Sequence, residues 1–146
     1  MKVRDIMTTQ LVTVAPSATV ADAARKMRDA DIGNVLVTDD GRPVGIITDR
    51  DIAVRVVAEG KDVNQAQVGD FMSTELITGL PDWDVEDAAE ILAEEQIRRL
   101  PVVENGRLMG IVSLGDIAVQ LMEEEVTAEA LERISEPAMP RIGEMR

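Results

Sequence analysis

Neither cysteine nor histidine occurs in the 146 residues. That excludes disulfides, Cys/His zinc sites, a cysteine nucleophile and any Ser-His-Asp triad. It also removes the side chain that most often moves protons near neutral pH. Aromatics are nearly missing: Phe71 and Trp83 are the only two. A surface that stacks the bases of single-stranded nucleic acid is therefore not expected. Basic charge is scarce, with 15 Lys and Arg against 28 Asp and Glu and a net charge of −13. Binding DNA or RNA needs basic surface, so no nucleic-acid partner is expected. A single nucleotide stays within reach if a few arginines are placed locally. No stretch approaches the ~18 consecutive apolar residues of a membrane span. The opening "MKVRDIMTTQ" lacks the apolar core of a signal peptide. A cytoplasmic location with no membrane partner is the expectation.

What is present is an aliphatic globular chain, 45% hydrophobic and 29% charged. A chain of this length buries roughly 68–70% of its unfolded surface, enough for one domain or two small ones packed together.

The chain also repeats itself. A shift of 65 places brings Val3 onto Val68, Asp5 onto Asp70, Met7 onto Met72 and Pro16 onto Pro81. "VADAA" (20–24) meets "VEDAA" (85–89), Gly41-Arg42 meets Gly106-Arg107, Gly45-Ile46 meets Gly110-Ile111, and "DIAV" (51–54) meets "DIAV" (116–119). No gap is needed from residue 3 to 54, and such internal similarity defines the architecture. We read residues 1–60 as repeat one, 61–67 as a linker, 68–122 as repeat two, and 123–146 as an acidic helix and tail.

Each copy starts with an extended run, "LVTVAP" or "LITGLP", that stops at a proline. Apolar residues at helical spacing follow: Val20, Ala23, Ala24 and Met27 in one copy, Val85, Ala88, Ala89 and Leu92 in the other. Gly33 reads as the cap beyond the first of these helices. Two aliphatic strands come next, joined by Asp40-Gly41 or Asn105-Gly106, both tight-turn dipeptides. A second helix starts after "GIIT" or "GIVS". The order is β-α-β-β-α, twice. In the tail a further helix is expected, with Ala130, Leu131 and Ile134 on one face and Pro137 and Pro140 at its end. One copy is too short to close a core. Two copies packed through their sheets about a pseudo-twofold axis remove that problem and create two similar clefts. The fold class is α/β (α+β).

These motifs resemble the tandem CBS (cystathionine β-synthase) domain pair, or Bateman module, of small stand-alone bacterial proteins of the hypoxic-response type. The carrying residues are V-x-D-I-M (3–7), "VGDFM" (68–72), "RRLPVV" (98–103), "GIITDRD" (45–51) and "GIVSLGD" (110–116). The resemblance spans about residues 1–122. It implies a regulatory ligand, an adenine nucleotide (AMP, ADP or ATP) or another adenosyl compound, with no required cofactor. It implies a homodimer and an unidentified downstream protein. One cleft would use Thr48, Arg50 and Asp51 with Ile77, Ile97, Arg98 and Arg99. The other would use Ser113 and Asp116 with Val12, Ile32, Gly33 and Asn34.

The residue types suit a ribose-phosphate. A fixed carboxylate, Asp51 or Asp116, accepts from both vicinal hydroxyls of a ribose. The Thr48 or Ser113 hydroxyl three residues earlier can donate to phosphate beside a helix N-terminus. The same spacing also makes a capping box, so cap and site stand together as readings. Arg98-Arg99 aligns with Gly33-Asn34, and Arg50 with Gly115. The arginines either hold phosphate or balance the surrounding acids at the surface. On the first reading the "RRLPVV" cleft leads. Asp49-Arg50-Asp51 is also a D-x-D, but its partner copy reads Leu114-Gly115-Asp116. No dedicated metal site is expected, and a magnesium ion would arrive with ATP, bound through phosphate oxygens. Trp83 is expected to pack against the other copy or a second subunit, and Met7 and Met72 to fill the module's edge. Two other functions stand beside a sensor: a small nucleotide hydrolase or transferase using Asp49 and Asp51, and a structural dimer with degenerate clefts.

Overall fold

The computed structural model of the chain describes residues 1–135, with side chains up to Glu124. A short helix, α1 (Val3–Ile6), leads to strand β1 (Thr13–Val14), helix α2 (Val20–Ala30) and the hairpin β2 (Asn34–Asp39) and β3 (Arg42–Thr48). Helix α3 (Asp49–Asp51) continues as a π-helix over Ile52–Val57. Repeat two begins with a 3-10 turn at Val68–Asp70. Helix α4 (Val85–Glu95), the hairpin β4 (Arg99–Glu104) and β5 (Arg107–Ser113), and helix α5 (Leu114–Ser135) follow.

In repeat one β1 runs parallel to β2, and β2 pairs antiparallel with β3. The strand expected at "LITGLP" is reduced to one bridge, Gly79 to Val102. A side chain at Gly79 would sit 2.8 Å from Leu100 Cδ2 and 3.1 Å from the Trp83 ring, so the backbone approaches closely where Thr13 and Val14 make a strand. Both hairpins turn as their sequences demand. Asp40 and Gly41 have φ of 53° and 79°, and Asn105 and Gly106 of 53° and 77°, the left-handed pair of a type I′ turn. Gly33 is not the cap of α2. Asp31 takes that place with φ 54° and ψ 52°, as Gln96 does after α4, and its N–H donates to the Met27 and Arg28 carbonyls. The short polar Asp tolerates the left-handed region, which frees Gly33 for a packing role. The identical "DIAV" segments also differ. The first is π-helical, with Ala58 N–H donating to Ala53 O, and it buries Val56 completely; the equivalent Leu121, on α-helical α5, is 37% exposed. The expected separate tail helix is continuous with α5. Ala130, Leu131 and Ile134 lie beyond the described side chains, and Pro137 and Pro140 beyond the described residues.

Two aliphatic cores form, and each borrows from the other repeat. Val20, Ala23, Met27, Val35, Val37, Ile47 and Val56 pack with Val68 of repeat two. Val85, Ala88, Leu92, Leu100, Val102, Val112 and Ile117 pack with Val3 of repeat one. The leading segments are thus exchanged. Thr8 bridges to Ile111 and Ser73 to Ile46. Met7 and Met72 do pack at this boundary: a Cβ on Gly110 would meet Met7 Sδ at 2.8 Å, and one on Gly45 would meet Met72 Sδ at 2.5 Å. Trp83 packs on the core of repeat two, and its carbonyl accepts from Val3 N–H of the exchanged segment. β3 lies against β5 where the copies meet.

Candidate functional site

Strand alternation decides which side chains reach the space between the repeats. In β2, Val35 and Val37 enter the core of repeat one, so Asn34 and Leu36 face the other way. In β5, Val112 enters the core of repeat two, leaving Ile111 and Ser113 on the opposite face. In β4, Leu100 is buried in that core and Arg99 falls on the face of Ser113, its cross-strand partner.

These outward residues line a cavity of about 280 Å³. Its polar lining is Thr8, Gln10, Asn34, Arg99, Ser113 and Asp116. Its apolar lining is Leu11, Val12, Ala30, Ile32, Leu36 and Ile111. Both repeats contribute. Among the described residues Arg99 is the single cation of the lining and Asp116 the single anion. Asp116 N–H donates to Ser113 Oγ at 3.0 Å, which caps α5 and leaves the Ser113 O–H free to donate. Among the described residues the Asp116 carboxylate accepts no hydrogen bond. A carboxylate, a guanidinium and a hydroxyl at a helix start, set among aliphatic walls, suit a small ligand with an apolar body, hydroxyls and an anionic end.

Six of the thirteen candidate residues meet here: Val12, Ile32, Asn34, Arg99, Ser113 and Asp116. Arg99 was expected beside Thr48 and Asp51. Its pairing with Ser113 across β4–β5 puts it on the Asp116 cavity. The other seven lie outside this lining. Thr48 and Asp51 form a complete capping box, with Asp51 N–H donating to Thr48 Oγ1 at 3.1 Å and Thr48 N–H to Asp51 Oδ2 at 2.9 Å. Arg50 and Arg98 are exposed, and the Arg98 carbonyl accepts from Leu114 N–H at 2.8 Å. Ile77 is 36% exposed, while Ile97 packs on the core of repeat two. Gly33 accepts from Asp49 N–H at 2.9 Å, and a Cβ on it would meet Asp49 Oδ2 at 3.2 Å.

Sequence reasoning missed Thr8, Gln10, Leu11, Ala30, Leu36 and Ile111. Alternation along β2 and β5 could have found Leu36 and Ile111. Nothing in the pattern marks Thr8 and Gln10, which arrive through the exchanged segment.

A family model for the CBS domain matches residues 3–58 and 68–123. The chain belongs to the CBS-domain family. It is similar to the CBS domain-containing protein YhcV of Bacillus subtilis, 47% identical over 133 residues that cover 91% of this chain and 94% of that one. Among solved structures it resembles hypoxic response protein I with two coordinated zinc ions, at a TM-score of 0.74 and 35% identity, covering 82% of this chain and 98% of that one. It also resembles the CBS protein CBSX2 in complex with AMP, at a TM-score of 0.73 and 29% identity, covering 85% and 98%. The chain is a tandem CBS pair with an α+β fold. Among its described residues no group of three or more Asp or Glu stands where it could hold a metal ion, and the sequence has no His or Cys to offer zinc. No described helix is long and apolar enough to cross a membrane.

Proposed function

We propose that this CBS pair is a regulatory module that senses an adenine nucleotide, AMP, ADP or ATP or a related adenosyl ligand, between its repeats, without catalysis. One observation carries the reading: Asp116, its carboxylate accepting no hydrogen bond among the described residues, shares a cavity with Arg99 and Ser113 from one repeat and with Val12 and Asn34 from the other. Asp116 would take the ribose hydroxyls and Arg99 the phosphate, with the Ile32 and Leu36 side holding the base. A ligand that spans both repeats has different affinity for different arrangements of them, which is what a signal requires. The AMP complex of a similar structure supports the ligand class. A magnesium ion would come only with a polyphosphate, through its oxygens.

The module would act as a homodimer read by a downstream protein, in the cytoplasm. Val54 and Val57 are 48% and 59% exposed, and their counterparts Val119 and Met122 are 57% and 53% exposed. The two repeats thus present matching apolar helix faces that a second copy can cover.

The deciding experiment is thermal melting against AMP, ADP, ATP and adenosine, with mass spectrometry of small molecules that co-purify. A bound ligand at 100 times its dissociation constant adds about 2.7 kcal/mol. No shift with any of the four would leave a structural dimer. Turnover of any of them above blank would replace the sensor with an enzyme. Light scattering of the wild type against Val54→Asp with Val119→Asp tests the dimer face.

A further inference from the structure

Residues 1–8 do two things at once. They cap the core of repeat two, and they end in a wall of the cavity. Val3 is fully buried there, and its N–H donates to Trp83 O at 2.8 Å. Thr8 and Ile111 exchange backbone hydrogen bonds of 2.8 and 3.0 Å, and both residues line the cavity, followed by Gln10, Leu11 and Val12. The side chains that fasten this segment are charged. Lys2 Nζ donates to Asp84 Oδ1 at 3.0 Å. Arg4 pairs with Asp82, with Nε at 3.0 Å from Oδ1, and lies 4.0 Å from Glu104.

The equivalent segment of repeat two repeats the backbone contacts, with Val68 fully buried and Ser73 and Ile46 exchanging hydrogen bonds of 2.8 and 2.9 Å, but it lacks the two ion pairs. It meets repeat one through Thr19–Gln67 and Ile46–Ser73 bridges, and Gln67 and Gly69 stand where Lys2 and Arg4 would be. The cations therefore do not belong to the shared frame of the fold. They occur on the copy whose exchanged segment reaches the cavity at Thr8.

We infer that residues 1–8 form a strap, latched by Lys2 and Arg4 onto Asp82, Asp84 and Glu104, whose docking completes the ligand cavity and so sets its affinity. The link to a ligand rests on the proposed function. A ligand that touches Thr8 or Val12 and also Asp116 joins the strap segment to repeat two. Docking and binding then favour each other by the same factor. The latch pairs are exposed, so salt weakens them, and ligand affinity falls with ionic strength through residues the ligand never touches.

The test uses the full chain, amide hydrogen exchange and AMP as the probe. Without ligand, Arg4→Gln and added salt should each speed exchange at Thr8 and Ile111 together, while the Val35 and Val37 amides of β2 stay unchanged. Arg4→Lys should hold wild-type rates more closely. Asp82→Asn should add little to Arg4→Gln in the double variant. Equal rates at Thr8 and Ile111 in wild type and Arg4→Gln would overturn the strap, whether or not AMP binds. With AMP, Thr8 and Ile111 should slow, and Arg4→Gln should weaken binding about twofold to fivefold. AMP that binds wild type and Arg4→Gln equally, leaving Thr8 exchange unmoved, overturns the coupling. If AMP does not bind at all, the ligand reading falls, and the ligand-free rates alone decide the strap.

Discussion

Thr48 and Asp51 satisfy each other. Each backbone N–H donates to the other's side chain, at 2.9 and 3.1 Å, and the Asp51 carboxylate is engaged by the fold. Among the described residues the counterparts Ser113 and Asp116 make half of that box, with the Ser113 hydroxyl accepting and Asp116 lining the cavity. The same motif thus serves a helix start in one repeat and faces a cavity in the other.

From this asymmetry, Asp116→Ala should lower AMP affinity at least about tenfold, since charge-assisted hydrogen bonds are the strong ones. It should cost little stability, because Ser113 still caps α5. Asp51→Ala should do the reverse, losing about 1 kcal/mol of stability with AMP binding kept. Titration calorimetry and thermal melts on both variants check this. AMP binding lost in Asp51→Ala and retained in Asp116→Ala would refute the assignment.

Among the described residues Arg99 is the one cation of the cavity lining, so it should discriminate between ligands by phosphate. Arg99→Gln should weaken AMP about tenfold and leave adenosine unchanged. Because the chain has no histidine, a pH dependence of AMP binding near neutrality should follow the phosphate's own second ionisation near about 6, and Arg99→Gln should flatten it. An equal loss for AMP and adenosine would mean that Arg99 shapes the cavity without touching phosphate.

Much of this was legible in the sequence. The offset of 65 carries the duplicated architecture, and the dipeptides Asp40-Gly41 and Asn105-Gly106 carry their turns. Val12, Ile32, Asn34, Ser113 and Asp116 could be grouped because the resemblance supplied the pairing of one repeat with the other. What the sequence hid is contact between segments far apart in the chain. Thr8 reaches the cavity through the exchange of leading segments, which no local pattern records. Arg99 joins Asp116 because β4 registers with β5 at Ser113, and a register is a three-dimensional fact. Whether Asp51 or Asp116 is free depends on a carboxylate rotamer, where "TDRD" and "SLGD" read alike.

Lys2 offers a test by pH. The hydrogen bond to Asp84, and then that carboxylate's charge, hold its ammonium above the ordinary 10.5. A group whose folded pKa is raised stabilises fully below its unfolded pKa and loses that effect as pH rises through the folded one. The urea midpoints of wild type and Lys2→Gln should therefore differ by a constant amount through the neutral range. They should converge on the alkaline side, as the pH rises through the raised pKa of the ammonium. A gap that persists unchanged into that range would show that the Lys2 alkyl chain, and not its charge, matters.

Gly45 and Gly110 should be intolerant of the smallest addition. A Cβ on Gly45 would lie 2.5 Å from Met72 Sδ and 2.8 Å from the Ser73 carbonyl. On Gly110 it would lie 2.8 Å from Met7 Sδ and 2.9 Å from the Thr8 carbonyl. A methionine can swing aside, but the carbonyls belong to the exchanged segments and are fixed by the Ser73–Ile46 and Thr8–Ile111 bridges. Each Gly→Ala should cost about 1–3 kcal/mol, which is about 2–12 °C in melting temperature at this chain length. The two should differ in one respect. Gly110→Ala pushes on the Thr8 side of the cavity and should also weaken AMP binding, whereas Gly45→Ala should destabilise with binding intact. Thermal melts paired with calorimetry separate them, and equal loss of AMP affinity in both would mean that Thr8 does not help to build the site.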